Sequence, residues 1–340
     1  MFTISRRQSF QLALAAALAA TTAPALAQSP AQKVTVALDW TPNTNHIGLF
    51  VARDRGFYAE AGLDVAILPY GDTGAGTLVS NGVADFGVAG NIGLFTQRTA
   101  GADLKAVYAV VQSETGRLVF NGNRNDIKSP RDLDGKIYGG FGSNWEKSLL
   151  QAIIRHDGGK GMFETVTLGT SAYEALANGA VDFTLEVSTW EGVKAALEGV
   201  SQKTFRYADY GVPDEHTTFL VSSDAYLSAH ADTATKFAQA TQRGYAFAVD
   251  HPDEATALLL AANKGMLTDE ALIKASLKAL VDGHYLRTAD GVVGTINPAK
   301  VEAIGTFLFS AGILKDANGA VLTKAPAFTD YYTNALLQTK

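Results

Sequence analysis

The 340-residue sequence contains no cysteine, so disulfides, thiolate nucleophiles, cysteine metal ligands and a cysteine-borne lipid anchor are all excluded. It has no basic run, and no stretch approaches the ~20 consecutive apolar residues that span a bilayer. The formal net charge of −6 argues against nucleic acid and anionic membrane as partners. Catalytic signatures are missing as well. There is no Gly-x-Ser-x-Gly elbow, no His-Glu-x-x-His helix and no P-loop, and His46, His156, His216, His230, His251 and His284 show no paired spacing. No metal or cofactor is called for, and the expectation is a protein that is not an enzyme; a scattered metal-free site stays open.

What the N-terminus does carry is a leader pattern. Arg6 and Arg7 precede an apolar run from Leu12 to Ala20, and Ala25-Leu26-Ala27 is a small-x-small cleavage site before Gln28. Residues 1–27 are therefore expected to be a secretory signal peptide. Ser5-Arg6-Arg7 fits twin-arginine export, whereas Ser9 stands where that signal has a bulky residue, so both export routes stay open. Without Arg6 and Arg7, 26 basic side chains face 34 acidic ones, a balance of −8. The expected location of the mature chain is the periplasm, and its roughly 310 residues are enough for two domains.

The stretch from Val34 to Val65 organises the rest. Val34, Val36 and Leu38 alternate with Thr35 and Ala37 as a strand, which stops on Asp39-Trp40-Thr41-Pro42-Asn43-Thr44-Asn45-His46. Pro42 cannot continue a ladder, and Asn and Thr favour turns and helix caps. Ile47, Phe50 and Val51 then follow at helical spacing until Gly56, and a second strand spans Asp64 to Leu68. This is a βαβ unit with an aromatic, an acid, amides and an imidazole at the carboxyl end of its first strand, where open α/β sheets hold small ligands.

An internal echo supplies the organisation. Ala75–Phe86 reads AGTLVSNGVADF and Ala172–Phe183 reads AYEALANGAVDF, each a short helix closed at Asn-Gly and followed by Asp-Phe and an apolar strand. Coincidence between common turns is one reading; two similar α/β lobes is the preferred one. Val88-Ala89-Gly90-Asn91 and Glu186-Val187-Ser188-Thr189-Trp190 would then face one cleft. Leu104–Gln112 reads as a strand and Gly116–Asn121 as a crossing segment. Thr217–Ser222 reads as a strand returning to the first lobe, and the helical pattern from Ala225 onward as a tail packed on its outside.

Asp39 and Trp40, with Trp190 and Glu186 opposite, suit a flat heteroaromatic ligand: rings close on it, and carboxylates accept from exocyclic amines. Asp39 also suits a turn, His46 a helix start and Trp145 simple packing. Gly139, Gly140 and Gly142 before a helix could cradle an anion on backbone N–H groups. Ser143-x-x-Glu146 is equally explained as a capping box.

The run Leu38-Asp39-Trp40-Thr41-Pro42-Asn43-Thr44-Asn45-His46, with Arg55-Gly56-Phe57-Tyr58 and Ala61-Gly62-Leu63-Asp64-Val65, resembles the thiamine-pyrimidine-precursor binding proteins of ABC importers. That group shares a fold with the eukaryotic hydroxymethylpyrimidine synthases. Trp190-Glu191-Gly192-Val193 and Tyr210-Gly211-Val212-Pro213 extend the resemblance, which covers about 34–222. It implies an α/β chain of the type II periplasmic-binding-protein fold, two α/β lobes joined by two crossover segments. Lobe 1 is expected at 33–118 plus 217–335 and lobe 2 at 119–216. The implied function is a monomeric extracytoplasmic receptor that delivers hydroxymethylpyrimidine or its formylamino relative to an inner-membrane permease. The candidate ligand contacts are Asp39, Trp40, Asn43, His46, Asn91, Ser143, Trp145, Glu146, Glu186 and Trp190. Riboflavin-, alkanesulfonate- and nitrate-binding receptors are similar in the same regions. An oxyanion site would want arginine or lysine converging on the cleft, with Arg117 and Lys147 the only near candidates. The synthases carry a cysteine-rich motif that this chain lacks.

Overall fold

Among the described residues, ten strands form two five-stranded sheets. The computed structural model describes residues 30–338, and the expected signal peptide, 1–27, lies outside the described residues. The chain opens with β1 (Gln32–Ala37), α1 (Ile47–Asp54), α2 (Phe57–Glu60), β2 (Leu63–Leu68), α3 (Ala75–Ser80), β3 (Phe86–Gly90), α4 (Asn91–Thr99) and β4 (Lys105–Val111). There follow β5 (Gly116–Asn121), β6 (Ile137–Gly140), α5 (Glu146–His156), β7 (Glu164–Thr167), α6 (Ala172–Ala177), β8 (Phe183–Val187), α7 (Glu191–Leu197) and β9 (Gln202–Arg206). β10 (Thr218–Ser222) leads into α8 (Asp224–Ala229), α9 (Ala231–Asp250), α10 (Pro252–Ala262), α11 (Glu270–Asp282) and α12 (Pro298–Ser310).

The sheet orders are β2-β1-β3-β10-β4 and β7-β6-β8-β5-β9. In each, three parallel strands meet a fourth, antiparallel strand that arrives from the other half of the chain: β10 in the first, β5 in the second. Gly116–Asn121, expected as a crossing segment, is therefore a full strand between β8 and β9. The crossings are the connections 112–115 and 207–217.

The sequence echo has a common physical basis in the two sheets. Asn81 and Asn178 end α3 and α6, and Gly82 (φ 69°) and Gly179 (φ 73°) adopt the left-handed conformation that closes a helix. Each echo's Asp then pins the neighbouring parallel strand. Asp85 accepts from the Thr35 N–H (2.7 Å) on β1, and Asp182 from the Ile137 N–H (2.8 Å) on β6.

The helical tail packs α9 against α1, where Gly48 and Gly244 let the backbones touch. A Cβ on Gly244 would lie 2.1 Å from the Gly48 carbonyl oxygen, and one on Gly48 would lie 2.2 Å from the Tyr245 ring. Val34, Val36, Phe50, Phe86, Phe237 and Leu277 share the apolar core beneath this layer. The strand ends that emerge from it are held in place by that packing.

Candidate ligand site between the two sheets

The loop after β1 is built from its own side chains. The Asn43 N–H donates to His46 Nδ1 (3.3 Å), which leaves the proton of a neutral ring on Nε2. That Nε2–H donates to Asp39 Oδ1 at 2.9 Å. Asn43 Oδ1 accepts from the Asn45 N–H and its Nδ2 donates to the Thr41 carbonyl. Beneath the loop, Tyr245 hydroxyl donates to the Asn45 carbonyl (2.6 Å). His46 and Asn43 are buried, with both imidazole nitrogens engaged, so they shape the loop and aim Asp39. Asp39 Oδ2 has no partner among the described residues, on a side chain 31% exposed.

The rings gather differently from the expected pair. Trp40 lies 5.4 Å from Tyr70, which follows β2, and 5.8 Å edge-on from Phe141, which follows β6. Phe141 in turn meets Tyr173 of α6 at 5.7 Å. The aromatic wall thus runs from the first sheet to the second through Tyr70, Trp40, Phe141 and Tyr173. Trp190 packs instead against the apolar core under α9 and α11. Next to it, Ser276 of α11 links the Thr189 carbonyl to the Thr44 hydroxyl, so the rims of the two sheets are in contact.

Glu146 is buried, and its carboxylate holds the loop after β6. Oε2 accepts from Tyr138 hydroxyl (2.6 Å) and the Phe141 N–H (2.9 Å), and Oε1 from the Ser143 N–H (2.6 Å). Gly140 permits this, since a Cβ there would stand 2.9 Å from Oε2. The capping explanation therefore covers Glu146. Ser143 is exposed at the rim, and Trp145 is half-buried against the core alongside α5.

Glu186, one residue before the end of β8, is buried, with no donor on Oε2 among the described residues. Burial pushes its carboxyl up to about 7, the Arg117 guanidinium pulls it down, and Glu191 adds to the rise. Glu191, which accepts from the Val187 N–H, is also raised to about 7, chiefly by burial. At the start of α4, Asn91 donates to Glu215 Oε2 at 2.7 Å, while its own Oδ1 is buried without a partner among the described residues. Burial and the neighbouring Glu114 hold the Glu215 carboxyl well above its ordinary range. Held so, Glu215 keeps its proton, and the Glu114 carboxylate beside it accepts a hydrogen bond from it. Tyr207 is buried where Glu114, Glu215, Glu146 and Glu186 all act on it electrostatically. Sequence reasoning misses Tyr70, Tyr173, Tyr207, Glu114 and Glu215. Tyr70 is within reach of the same rule that picks Trp40, since it too follows a parallel strand. The other four meet only through packing.

The family described as NMT1/THI5 like matches residues 43–255. The chain belongs to that family. A formylaminopyrimidine-binding protein of Halalkalibacterium halodurans is 30% identical over 236 residues, covering 67% of this chain and 70% of that protein. A 4-amino-5-hydroxymethyl-2-methylpyrimidine phosphate synthase of Saccharomyces cerevisiae is 24% identical over 238 residues, covering 66% and 69%. Among solved structures, the ligand-binding component of an ABC-type import system from Staphylococcus aureus superposes with a TM-score of 0.68 at 14% identity, covering 90% of this chain and 97% of that one. The alkanesulfonate-binding protein SsuA of Xanthomonas axonopodis pv. citri gives 0.64 at 16% identity, covering 91% and 98%. The fold of this NMT1/THI5-like chain is thus the two-sheet α/β fold of periplasmic binding proteins.

Proposed function

We propose that this chain is the extracytoplasmic receptor of an ABC importer and binds a 4-aminopyrimidine precursor of thiamine, formylaminopyrimidine or hydroxymethylpyrimidine, between its two sheets. One observation carries the reading: among the described residues two buried acceptors, Asn91 Oδ1 and Glu186 Oε2, have no donor. A buried acceptor left unpaired costs about 1–3 kcal/mol, so the site favours a ligand that brings N–H groups. An exocyclic amine supplies two. A carboxyl poised near 7 also suits a ring nitrogen beside that amine, because one oxygen takes the amine proton while the other shares a proton with the ring. Trp40, Tyr70 and Phe141 offer apolar ring surface, and Asp39, aimed by His46, is a further acceptor. Ser143 is assigned to the rim, Trp145 and Trp190 to packing against the cores, and Asn43 and Glu146 to support of the loops.

In this reading the lobes turn about the crossings 112–115 and 207–217, the mature chain is a periplasmic monomer, and a permease receives the ligand. It is a receptor and not a synthase; the relative with the higher identity of the two above is named as a binding protein. A thermal-shift panel of formylaminopyrimidine, hydroxymethylpyrimidine, thiamine, riboflavin, taurine and nitrate tests the ligand class. The two aminopyrimidines should stabilise most. Stabilisation by riboflavin alone, or by the anions alone, overturns the assignment.

A further inference from the structure

Strands β8, β5 and β9 lie side by side, and their registers set Glu186 opposite Arg117 and Arg117 opposite Arg206. Directly opposed residues on antiparallel strands share a face, with Cβ atoms roughly 5 Å apart, and like charges so placed repel. Two guanidinium groups therefore stand together where the second sheet meets the crossings. Seven other described arginines, Arg124 and Arg287 among them, are ion-paired with carboxylates. Arg117 and Arg206 have no such pair among the described residues; the acid nearest in register, Glu186, is held towards its neutral form.

Both arginines line a cavity of about 260 Å³, with Thr115 and Ser188 offering hydroxyls beside them. Glu114 and Asp214 are also on its wall, but each has its own donors. Asp214 takes the Lys300 ammonium (2.7 Å) and the Glu114 N–H (2.9 Å), and Glu114 Oε1 takes the Gly116 N–H. The cavity is smaller than the roughly 300–1,000 Å³ pockets that hold whole drug-sized ligands. It suits one substituent or a small ion. Side-by-side arginines present forked donors that match phosphate, sulfonate or carboxylate oxygens.

We infer that Arg117 and Arg206 form an oxyanion subsite next to the amine-accepting end of the cleft. The oxyanion is either a free ion or a group carried by the cleft ligand, and only the second source rests on the aminopyrimidine reading. The probes are inorganic phosphate at matched ionic strength, a 4-aminopyrimidine with a hydroxymethyl arm, and the phosphate ester of that arm. Each is titrated calorimetrically into the wild type, Arg206→Gln, Arg117→Gln and Arg117→Lys.

Phosphate should bind the wild type and lose at least tenfold in either glutamine variant, with Arg117→Lys in between. If the oxyanion is part of the ligand, the ester should also bind at least tenfold tighter than the alcohol, and that advantage should vanish in Arg206→Gln. Phosphate binding without an ester advantage supports the subsite with a free ion as its source. Equal phosphate affinity in wild type and both glutamine variants, or no phosphate binding and no ester advantage, overturns the subsite. Binding of the alcohol reports on the aminopyrimidine reading separately.

Discussion

Glu186 should weaken the folded protein and strengthen the complex, and replacing it with glutamine separates the two effects. Its carboxyl titrates near 7 in the folded chain against an ordinary 4.5. At about 1.4 kcal/mol for each pH unit between those values, charging it in the free protein costs about 3 kcal/mol above pH 7. The sign follows from linkage. The folded form holds the proton to higher pH than the unfolded form, so the residue's contribution is intact below 4.5 and is lost as pH rises through 7. Glu186→Gln has no charge to bury. It should be more stable than wild type by up to about 3 kcal/mol at pH 8 and within about 1 kcal/mol at pH 5. Glu191 shares the rise and stays in both proteins, so the difference isolates Glu186 and its repulsion with Glu191. Binding should move the other way. The amide of the variant cannot share a proton with a ring nitrogen as a carboxyl does, and aminopyrimidine affinity at pH 8 should fall at least tenfold, about 1.4 kcal/mol. Denaturant titrations at the two pH values and calorimetry at pH 8 read both halves. A variant that is less stable at pH 8, or that binds within twofold of wild type, refutes the argument.

Three further outcomes are expected. His46→Ala should cost aminopyrimidine affinity about tenfold through a mis-aimed Asp39, and Asp39→Asn in the His46→Ala background should add little; additive losses in the double variant would mean that the two act separately. Glu146→Ala removes the acceptor of three donors, one a buried hydroxyl, so stability should fall by roughly 2–4 kcal/mol, and proteolysis should begin in the Phe141–Trp145 loop; an unchanged denaturation midpoint counts against that support. Gly48→Ala drives a methyl into the Tyr245 ring and should cost about 1–3 kcal/mol, with the Tyr245–Asn45 hydrogen bond lost; wild-type stability would show that α1 and α9 shift apart freely.

The parts of this chain that sequence could reveal are those whose causes are local. The break at Asp39–His46 is legible because proline and asparagine act on their own neighbourhood. The Asn-Gly pairs are legible for the same reason, and they locate one equivalent unit in each sheet. Gly116–Asn121 misleads because Leu118 and Phe120 alternate with Arg117 and Val119 whether the segment crosses or pairs. Its place between β8 and β9 is decided by partners some 60 to 90 residues further on. Trp190 invites pairing with Trp40 because both are tryptophans after strands, yet the direction of a large ring depends on which core is nearest. The apolar surface under α9 and α11 takes Trp190, and Phe141 meets Trp40 instead.

The same reasoning explains why the acids read unevenly. Glu186 and Asp39 stand at strand ends, where position alone suggests a ligand. Glu114 and Glu215 lie on separate crossings, 101 positions apart in the sequence, and meet only because both crossings converge. No periodicity encodes that meeting. Arg117 is the instructive case between the two. Its charge is visible in the sequence, but a single arginine specifies no ligand; Arg206 is 89 positions further on, and only the antiparallel register sets it opposite. The proposed cleft, with acceptors on one side of Arg117 and guanidinium donors on the other, would distinguish the two ends of a ligand, and that polarity would arise from strand pairing and not from any motif.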